Sequence, residues 1–285
     1  MAANMKAVKL RIKSIENTMQ ITKAMELVAA SKLRRAKERA EKSKPYYSVL
    51  YEALAGIAAC NTDYSSPYTK KQASDAWCYV VIAGDRGFAG GYNNNLFKCL
   101  EREASGRNIS VLPIGKKSVE YCRRRGIPII TEEFAEAGSI SVADCFEISH
   151  LLCRDFLAGK FGHIALCYTE FVTMLSQTPK LDHVLPLTDL SLPEGKSAAD
   201  YGQILYEPGS SEVFDVIVPE YLAGLIYGAM SESVASEQAS RRMVMDAATK
   251  NAGEMIEELN LYYNRVRQAG ITQEITEIVA GAEGG

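Results

Sequence analysis

The sequence predicts an α/β fold joined to a long antiparallel coiled coil, in which the two ends of the chain form a shaft and the middle forms a small Rossmann-like, doubly wound domain. Two observations predict the shaft: residues 5–44 contain neither Gly nor Pro, and apolar or small residues recur at helical spacing near both ends of the chain. A third observation predicts the middle domain, because strand-like and helix-like segments alternate there. We therefore divide the chain into an amino-terminal coiled-coil helix at 1–60, a central α/β domain at 76–206 and a carboxy-terminal coiled-coil helix at 219–285.

The amino-terminal helix is predicted from a seam of apolar or small residues that alternates steps of four and three, as in a coiled coil. Glu26 is the one charged residue that interrupts the seam, and Pro45 is expected to bend the helix. At 1.5 Å per residue, a straight helix over residues 5–59 would be roughly 80 Å long. The seam consists of Val8, Ile12, Ile15, Met19, Thr22, Ala29, Leu33, Ala36 and Ala40.

The carboxy-terminal helix is predicted to begin at Pro219, because proline suits the first turn of a helix. Its apolar pattern continues to Val266 through a segment at 229–252 that is rich in Ala and Ser, which permits close approach of another helix. This helix would be on the order of 80 to 90 Å long. A compact globule of this chain length would be only roughly 50 Å across, so neither helix fits inside it and we expect the two to pair.

The middle of the chain has the alternating pattern of a small parallel sheet. Apolar runs predict strands at 77–83, 109–114, 127–130 and 163–168, and a longer edge strand within 174–187. Helices are predicted between them at 95–104, 116–125 and 142–158. This βαβ order predicts helices on both faces of the sheet.

The charge of the chain is unevenly distributed. Residues 1–44 carry twelve Lys or Arg and four Asp or Glu, a net charge of +8, whereas the rest of the chain carries −11. Nucleic acid, an anionic membrane or an acidic protein surface would each suit such a segment. The most basic part, 32–44, lacks aromatic residues and includes Glu38 and Glu41, which favours a solvated helix face or an acidic protein partner over nucleic acid.

A glycine-rich loop at 84–91 (GDRGFAGG) follows the first predicted strand, where α/β folds often hold a phosphate. Its GxxGxxGG spacing matches neither the dinucleotide-binding nor the Walker A motif, and no Lys-Ser/Thr pair follows. We interpret the loop as a tight structural turn, in which Asp85 and Arg86 pair locally or cap the following helix. Nucleotide binding is the alternative.

No other motif indicates catalysis, a metal or a cofactor. The three histidines, His150, His163 and His183, lack metal-binding spacing. The seven cysteines form no CxxC pair, and we interpret them as small buried hydrophobic residues. There is neither an apolar run of 18 residues nor a secretory signal, so a cytosolic protein is expected.

Several segments, taken in order along the whole chain, resemble the gamma subunit of F-type ATP synthases. The two terminal motifs carry most of this resemblance, because they are the most specific. The matching segments are 15–34 (IENTMQITKAMELVAASKLR), 84–93 (GDRGFAGGYN), 176–179 (SQTP), 205–208 (LYEP), 236–243 (SEQASRRM), 245–249 (MDAAT), 251–253 (NAG) and 271–278 (ITQEITEI). Arg241 departs from the family pattern, which leads us to expect an acidic residue there.

The resemblance implies a non-catalytic central rotor that couples proton-driven rotation of a membrane ring of c subunits to conformational change in catalytic beta subunits. The implied partners are a hexamer of three alpha and three beta subunits, the epsilon subunit and the c-ring, with no nucleic acid and no cofactor. It also implies a peripheral location on the cytoplasmic face of a bacterial plasma membrane, reached through the c-ring. No redox switch is implied, because the chain has no insertion with a closely spaced cysteine pair.

The resemblance also implies roles for ten residues, carried over from matching motif positions. It places a contact with beta subunits at Thr22, Lys23, Met25, Arg242 and Gln273, an apolar tip in an upper bearing at Ile275, Ile278 and Val279, and a foot on the c-ring at Tyr206 and Glu207. Two other functions remain as alternatives: a nucleotide-binding α/β enzyme that uses the 84–91 loop, and a free coiled-coil adaptor.

Overall fold

The computed structural model describes residues 2–60, 64–201 and 204–283. The chain forms two compact units: residues 31–240 contain the sheet, and residues 1–30 with 241–285 form the other unit. Two long helices supply residues to both units: α1, Ala2–Cys60, and α6, Ser210–Glu283. Their 59 and 74 residues confirm the prediction of two very long terminal helices.

The sheet has four strands in the order β2-β1-β3-β4. The strands are β1, Trp77–Ile82; β2, Ile109–Ile114; β3, His163–Phe171; and β4, Gln177–Leu185. β1 pairs in parallel with β2 and with β3, whereas β4 runs antiparallel beside β3 as an edge strand. Strands 1 to 3 are therefore joined by crossover helices, as the βαβ pattern predicts.

Helices cover both faces of the sheet. They are α2, Tyr92–Ala104; α3, Lys116–Arg125; and α4, Val142–Leu157. A single-turn helix, α5, spans Ala198–Tyr201. Alternation along β1 divides the core: Tyr79 and Val81 pack in the same cluster as α2 and α3, while Val80 and Ile82 pack with α4 and parts of α1 and α6. The doubly wound architecture is confirmed.

Within the sheet-bearing unit, α1 and α6 run antiparallel and approach closely. Alanines of both helices meet where Ala36, beside Leu33, packs with Ala235 and Ala239. Further along, glycines of α6 face tyrosines of α1. A Cβ built on Gly224 would lie 3.0 Å from Tyr47 Cβ, and one on Gly228 would lie 2.9 Å from Tyr47 Cε1. Small residues therefore permit the two helices to pack tightly here.

The second unit contains only helical residues of the two chain ends. Their seam includes a hydrogen bond of 2.8 Å between the hydroxyls of Thr22 and Thr249. Val8, Ala29 and Ala252 are buried. Antiparallel pairing of the terminal helices, predicted from their seams, is therefore present in this unit also.

The structure differs most from the sequence prediction at the start of α6 and at residues 127–130. α6 begins at Ser210, so Pro219 lies inside the helix rather than in its first turn. An internal proline costs a backbone hydrogen bond, but Phe214 and Val218, both fully buried in the core, stabilise the extra turns. Residues 127–130 form only an isolated bridge between Ile129 and Val111 rather than a strand.

The compact units also divide the chain differently from the three predicted segments. The sheet-bearing unit includes residues 31–60 of α1 and 210–240 of α6, because both helices bury apolar side chains in its core. Among the described residues, α6 alone is long and apolar enough to cross a membrane by length and composition, and more than half of its most apolar window is buried inside the protein. A core helix of a soluble protein meets the same criterion.

Candidate functional site

The glycine-rich loop at 84–91 is held in place by hydrogen bonds to the side chains of Asp85 and Asn93. The Asp85 carboxylate accepts three backbone N–H bonds, from Lys116 at 3.2 Å, Ala137 at 3.0 Å and Gly138 at 2.9 Å. Asn93 Oδ1 accepts the N–H of Gly84 at 2.9 Å. Asp85 thus occupies the amino end of α3, where a phosphate would otherwise find N–H donors.

The loop also packs against α6. A Cβ on Gly84 would lie 2.7 Å from Glu237 Oε1, and the Ser240 hydroxyl donates to the carbonyl of Ala89 at 2.7 Å. A carboxylate at this position repels a phosphate. The loop is therefore a structural turn. We had expected Asp85 to pair locally or to cap the helix that directly follows, but it caps α3 instead.

Two of the three histidines, His163 and His183, pack against the ring of Trp77. His163 stacks on Trp77 with ring centroids 4.2 Å apart, and His183 meets the same ring edge-on at 5.0 Å. Burial, with a contribution from the Arg107 cation, lowers the pKa of both imidazoles. Within residues 2–60, 64–201 and 204–283, no three His, Cys, Asp or Glu side chains are grouped to hold a metal ion.

Two of the predicted beta-subunit contacts lie close together in the unit formed by the chain ends. The pKa of the Asp246 carboxyl is lowered chiefly by a hydrogen bond from Lys250. The charges of Lys23 and Arg242, which lie on different helices, lower it further. The Lys23 ammonium also pairs with Glu26 at 2.9 Å and stays 54% exposed. Glu26, the charge in the seam, is thus neutralised locally, while Lys23 still faces solvent.

The remaining predicted beta-subunit contacts differ in exposure. Thr22 is buried, and its hydroxyl is engaged with Thr249 and with the carbonyl of Met19. Met25 is half-buried. Gln273 is exposed and donates to Glu277 at 2.8 Å. The structure therefore brings Lys23 and Arg242 together and leaves Gln273 apart from them along α6.

The predicted apolar tip is exposed on the last turns of α6. Ile275, Ile278 and Val279 are 56%, 71% and 51% exposed, and Ile271 is 50% exposed. Branched aliphatic side chains are normally buried. A cluster of four on one helix end is typical of a surface made for contact with another protein.

The predicted foot follows α5 in the sheet-bearing unit. Tyr206 is half-buried and packs against the main core, and burial raises its pKa. Glu207 is exposed. Its neighbour Leu205 is 83% exposed, so this segment presents apolar and acidic side chains side by side.

One exposed residue of the 84–91 loop was not singled out from the sequence. Phe88 is 72% exposed and has a φ of 59°, a left-handed conformation that few residues other than glycine adopt. An aromatic ring held in water on a strained backbone is typical of a contact residue. Its position directly after Gly87 in a glycine-rich turn was the available signal.

The fold and these surfaces define a class of protein in which an α/β domain is built onto two very long paired helices that expose basic and apolar side chains. A family model described as ATP synthase matches residues 4–284. The ATP synthase gamma chain of Ruminococcus albus is 44% identical over 281 residues, which cover 97% of this chain and 96% of that protein. This chain belongs to the gamma-chain family of ATP synthases, and it is a non-catalytic central-stalk subunit.

Other relatives and solved structures are similar along most of the chain. The Acetobacterium woodii protein named ATP synthase gamma chain, sodium ion specific, is 36% identical and covers 99% of both chains. A chain of the Euglena gracilis mitochondrial ATP synthase has a TM-score of 0.67 at 16% identity, over 98% of this chain and 94% of its own. A chain from the Tetrahymena thermophila central stalk and c-ring has a TM-score of 0.60 at 24% identity, over 80% and 99%. These two structures share the fold.

Proposed function

We propose that this gamma chain transmits rotation between a c-ring and a hexamer of three alpha and three beta subunits, through the three surfaces described above. The exposure of the α6 tip carries the proposal. Four branched aliphatic residues in water favour an enclosing protein surface, because each would otherwise be buried in a core. Aliphatic side chains make no fixed hydrogen bonds, which suits a tip that turns within a bearing.

The contact with beta subunits is proposed at Thr22, Lys23, Met25, Arg242 and Gln273. Exposed Lys23 and half-buried Arg242 support it, because they form a basic area next to each other. Basic side chains at 32, 34, 35, 37, 39, 42 and 44 are also exposed on α1 in the sheet-bearing unit. An acidic segment of a beta subunit would complement both areas. Because its hydroxyl is engaged by Thr249, Thr22 would act by positioning α1.

The foot on the c-ring is proposed at Tyr206 and Glu207. Exposed Leu205 and Glu207 support a contact there, with Tyr206 anchoring the segment to the core. Phe88 is a further candidate contact, because its ring is exposed. The epsilon subunit is proposed to bind the sheet-bearing unit. Attachment to the c-ring would place the chain on the cytoplasmic face of a bacterial plasma membrane.

The test reverses the charge of the proposed beta contact. Lys23→Glu and Arg242→Glu should each lower the number of ions pumped per ATP hydrolysed, because an attraction to an acidic segment becomes a repulsion. Loss of about 1 kcal/mol corresponds to a roughly fivefold loss in occupancy of the contact. The measurement is ATP-driven ion uptake against ATP hydrolysis in inverted membrane vesicles.

Lys98→Glu is the matched control, since Lys98 is exposed on α2 and undergoes the same charge change. It should leave the ratio of ions pumped to ATP hydrolysed unchanged. An unaltered ratio in both Lys23→Glu and Arg242→Glu, in fully assembled enzyme, would contradict the proposed contact.

A further inference from the structure

The turn that joins β3 to β4 holds two aliphatic side chains in water. Leu175 is 80% exposed and Val172 is 54% exposed, so Leu175 is more exposed than any of the four aliphatic residues at the α6 tip. Exposed turns are normally built from glycine, proline and small polar residues. We call residues 172–176 the hairpin tip, and its two aliphatic side chains point to a contact with another protein.

Hydrogen bonds give the hairpin tip a fixed shape. The N–H of Thr173 donates to the carbonyl of Ser176 at 2.9 Å, and the N–H of Ser176 donates to the Thr173 hydroxyl at 3.0 Å. The Gln177 amide donates to the carbonyls of Thr173 and Met174 at 3.1 and 2.8 Å. Because the backbone is already ordered, binding of a partner costs less conformational entropy here than on a loose loop.

The hairpin is fastened to both long helices. Ser233 and Ser236 of α6 form hydrogen bonds of 3.1 Å with the N–H and the carbonyl of Thr169 on β3. Phe171 and Met174 pack on a cluster that both helices build, which consists of Leu33, Ala36, Ala235 and Ala239. A force on the hairpin tip would therefore pass to α1 and α6.

A basic surface of α1 lies beside the hairpin tip. The ammonium of Lys37 stands 5.2 Å from the centroid of the ring of Phe171, the residue that precedes the tip. Residues 32–44 of α1 carry seven Lys or Arg and two Glu, whereas residues 171–177 carry no charge. The complement of such a surface is a segment that has aliphatic side chains among carboxylates.

We propose that the hairpin tip is a docking surface for an acidic segment of a beta subunit that also carries aliphatic side chains. Its aliphatic side chains would cover Val172 and Leu175, while its carboxylates would lie toward Lys37. This inference rests on the proposed function, in which an acidic segment of a beta subunit meets the basic side chains of α1, and it adds an apolar half to that contact. Contacts between aliphatic side chains are non-directional, so the tip could meet three beta subunits in succession as the chain turns.

The experiment places a photoreactive group at the hairpin tip of the assembled complex in inverted membrane vesicles. Leu175→p-benzoylphenylalanine should crosslink to a beta subunit on irradiation, and mass spectrometry should locate the crosslink in a segment of net negative charge that contains Leu, Ile or Val. Leu157→p-benzoylphenylalanine is the matched control, because Leu157 is an exposed leucine at the end of α4, and it should not crosslink to that segment. The proposal is overturned if position 175 crosslinks only to an alpha or epsilon subunit, only to a neutral or basic segment of beta, or to nothing.

Charge reversal tests the basic half of the surface. With the photoreactive group at position 175, Lys37→Glu should lower the yield of the crosslink to beta by about two- to fivefold, because an attraction becomes a repulsion. Lys98→Glu, which changes an exposed lysine on α2, should leave the yield unchanged. An undiminished yield with Lys37→Glu would contradict the acidic character of the partner.

A paired substitution tests the apolar half. Val172→Ser with Leu175→Ser should lower the number of ions pumped per ATP hydrolysed and leave the urea midpoint unchanged, because both side chains are exposed. Val142→Ser with Leu157→Ser, at positions 49% and 46% exposed on α4, is the matched control and should keep the wild-type ratio. A wild-type ratio in the Val172→Ser, Leu175→Ser chain would overturn the proposal.

This outcome is separate from that of Lys23→Glu and Arg242→Glu, because those residues lie in the other unit. A lowered ratio in the two charge variants, with a wild-type ratio in the hairpin variant, would keep the proposed function and remove the hairpin tip from it. The opposite result would keep the hairpin tip and contradict the contact at Lys23 and Arg242.

Discussion

Replacement of Asp85 separates a structural role of the 84–91 loop from a catalytic one. Asp85→Ala removes the acceptor of three backbone N–H bonds, two of them near solvent. At about 1 kcal/mol for each bond, the sheet-bearing unit should lose roughly 3 kcal/mol of its free energy of unfolding. With a urea m-value of about 3 kcal/mol per molar, the unfolding midpoint should fall by roughly 1 M.

Asp85→Asn provides a graded comparison. Its Oδ1 can still accept the N–H bonds of Lys116 and Ala137, but its amide nitrogen would face the N–H of Gly138, which Oδ2 now accepts. The loss should be about 1 kcal/mol, so the midpoint should fall by roughly 0.3 to 0.5 M. Trp77, the single tryptophan and the first residue of β1, reports unfolding of the sheet by its fluorescence.

Gly87→Ala is the control for both variants, because a Cβ at Gly87 has no atom within 4 Å. It should leave the midpoint unchanged, whereas a nucleotide-binding loop would lose function on this change. A structural role of Asp85 is refuted if Asp85→Asn is as destabilising as Asp85→Ala, or if neither moves the midpoint while Gly87→Ala does.

Two further predictions concern backbone packing and thiol titration. Gly115→Ala should destabilise the chain by at least about 3 kcal/mol, because its Cβ would clash with the carbonyl oxygen of Ala83 at a φ of 94°. Gly126→Ala, with a φ of 66° and no atom within 4 Å, should cost only about 1 kcal/mol; equal urea midpoints for the two would contradict this. The Cys167 thiol lowers the pKa of the Cys99 thiol on α2 to about 6. Because the thiolate is the reactive form, the alkylation rate of Cys99 should rise with pH and reach half its plateau near that pKa. Cys167→Ala should move the midpoint upward, and a wild-type midpoint near that of an unperturbed thiol would contradict the prediction.

The long helices and the sheet could be predicted because their signals are local and repeated. The absence of Gly and Pro over residues 5–44 and the seam of apolar or small residues predicted the length and the pairing of α1. The elements β2 and α3 have the predicted bounds. The start of α6 was missed because proline is common in a first turn. Its position inside the helix depends on burial of Phe214 and Val218 in a core built by distant segments.

The site could be predicted only in part, because its chemistry depends on contacts between distant residues. Asp85 was expected to pair locally or to cap the following helix, but its partners at 116, 137 and 138 follow it by more than thirty positions. Exposure of the α6 tip likewise required the structure, since an isoleucine every three or four residues also indicates a buried helix face.

The glycines of α6 that face tyrosine rings of α1 have a mechanical consequence. The rings of Tyr46 and Tyr47 occupy the space that a side chain on Gly224 or Gly228 would fill. The two helices therefore interlock at these positions. Because Tyr47 lies against both glycines, an axial slip by one helical turn, about 5.4 Å, would bring Glu220 or Glu232 against Tyr47. Torque applied to either helix at this joint should therefore be shared by both, and a larger residue at Gly228 would weaken the contact between the two helices.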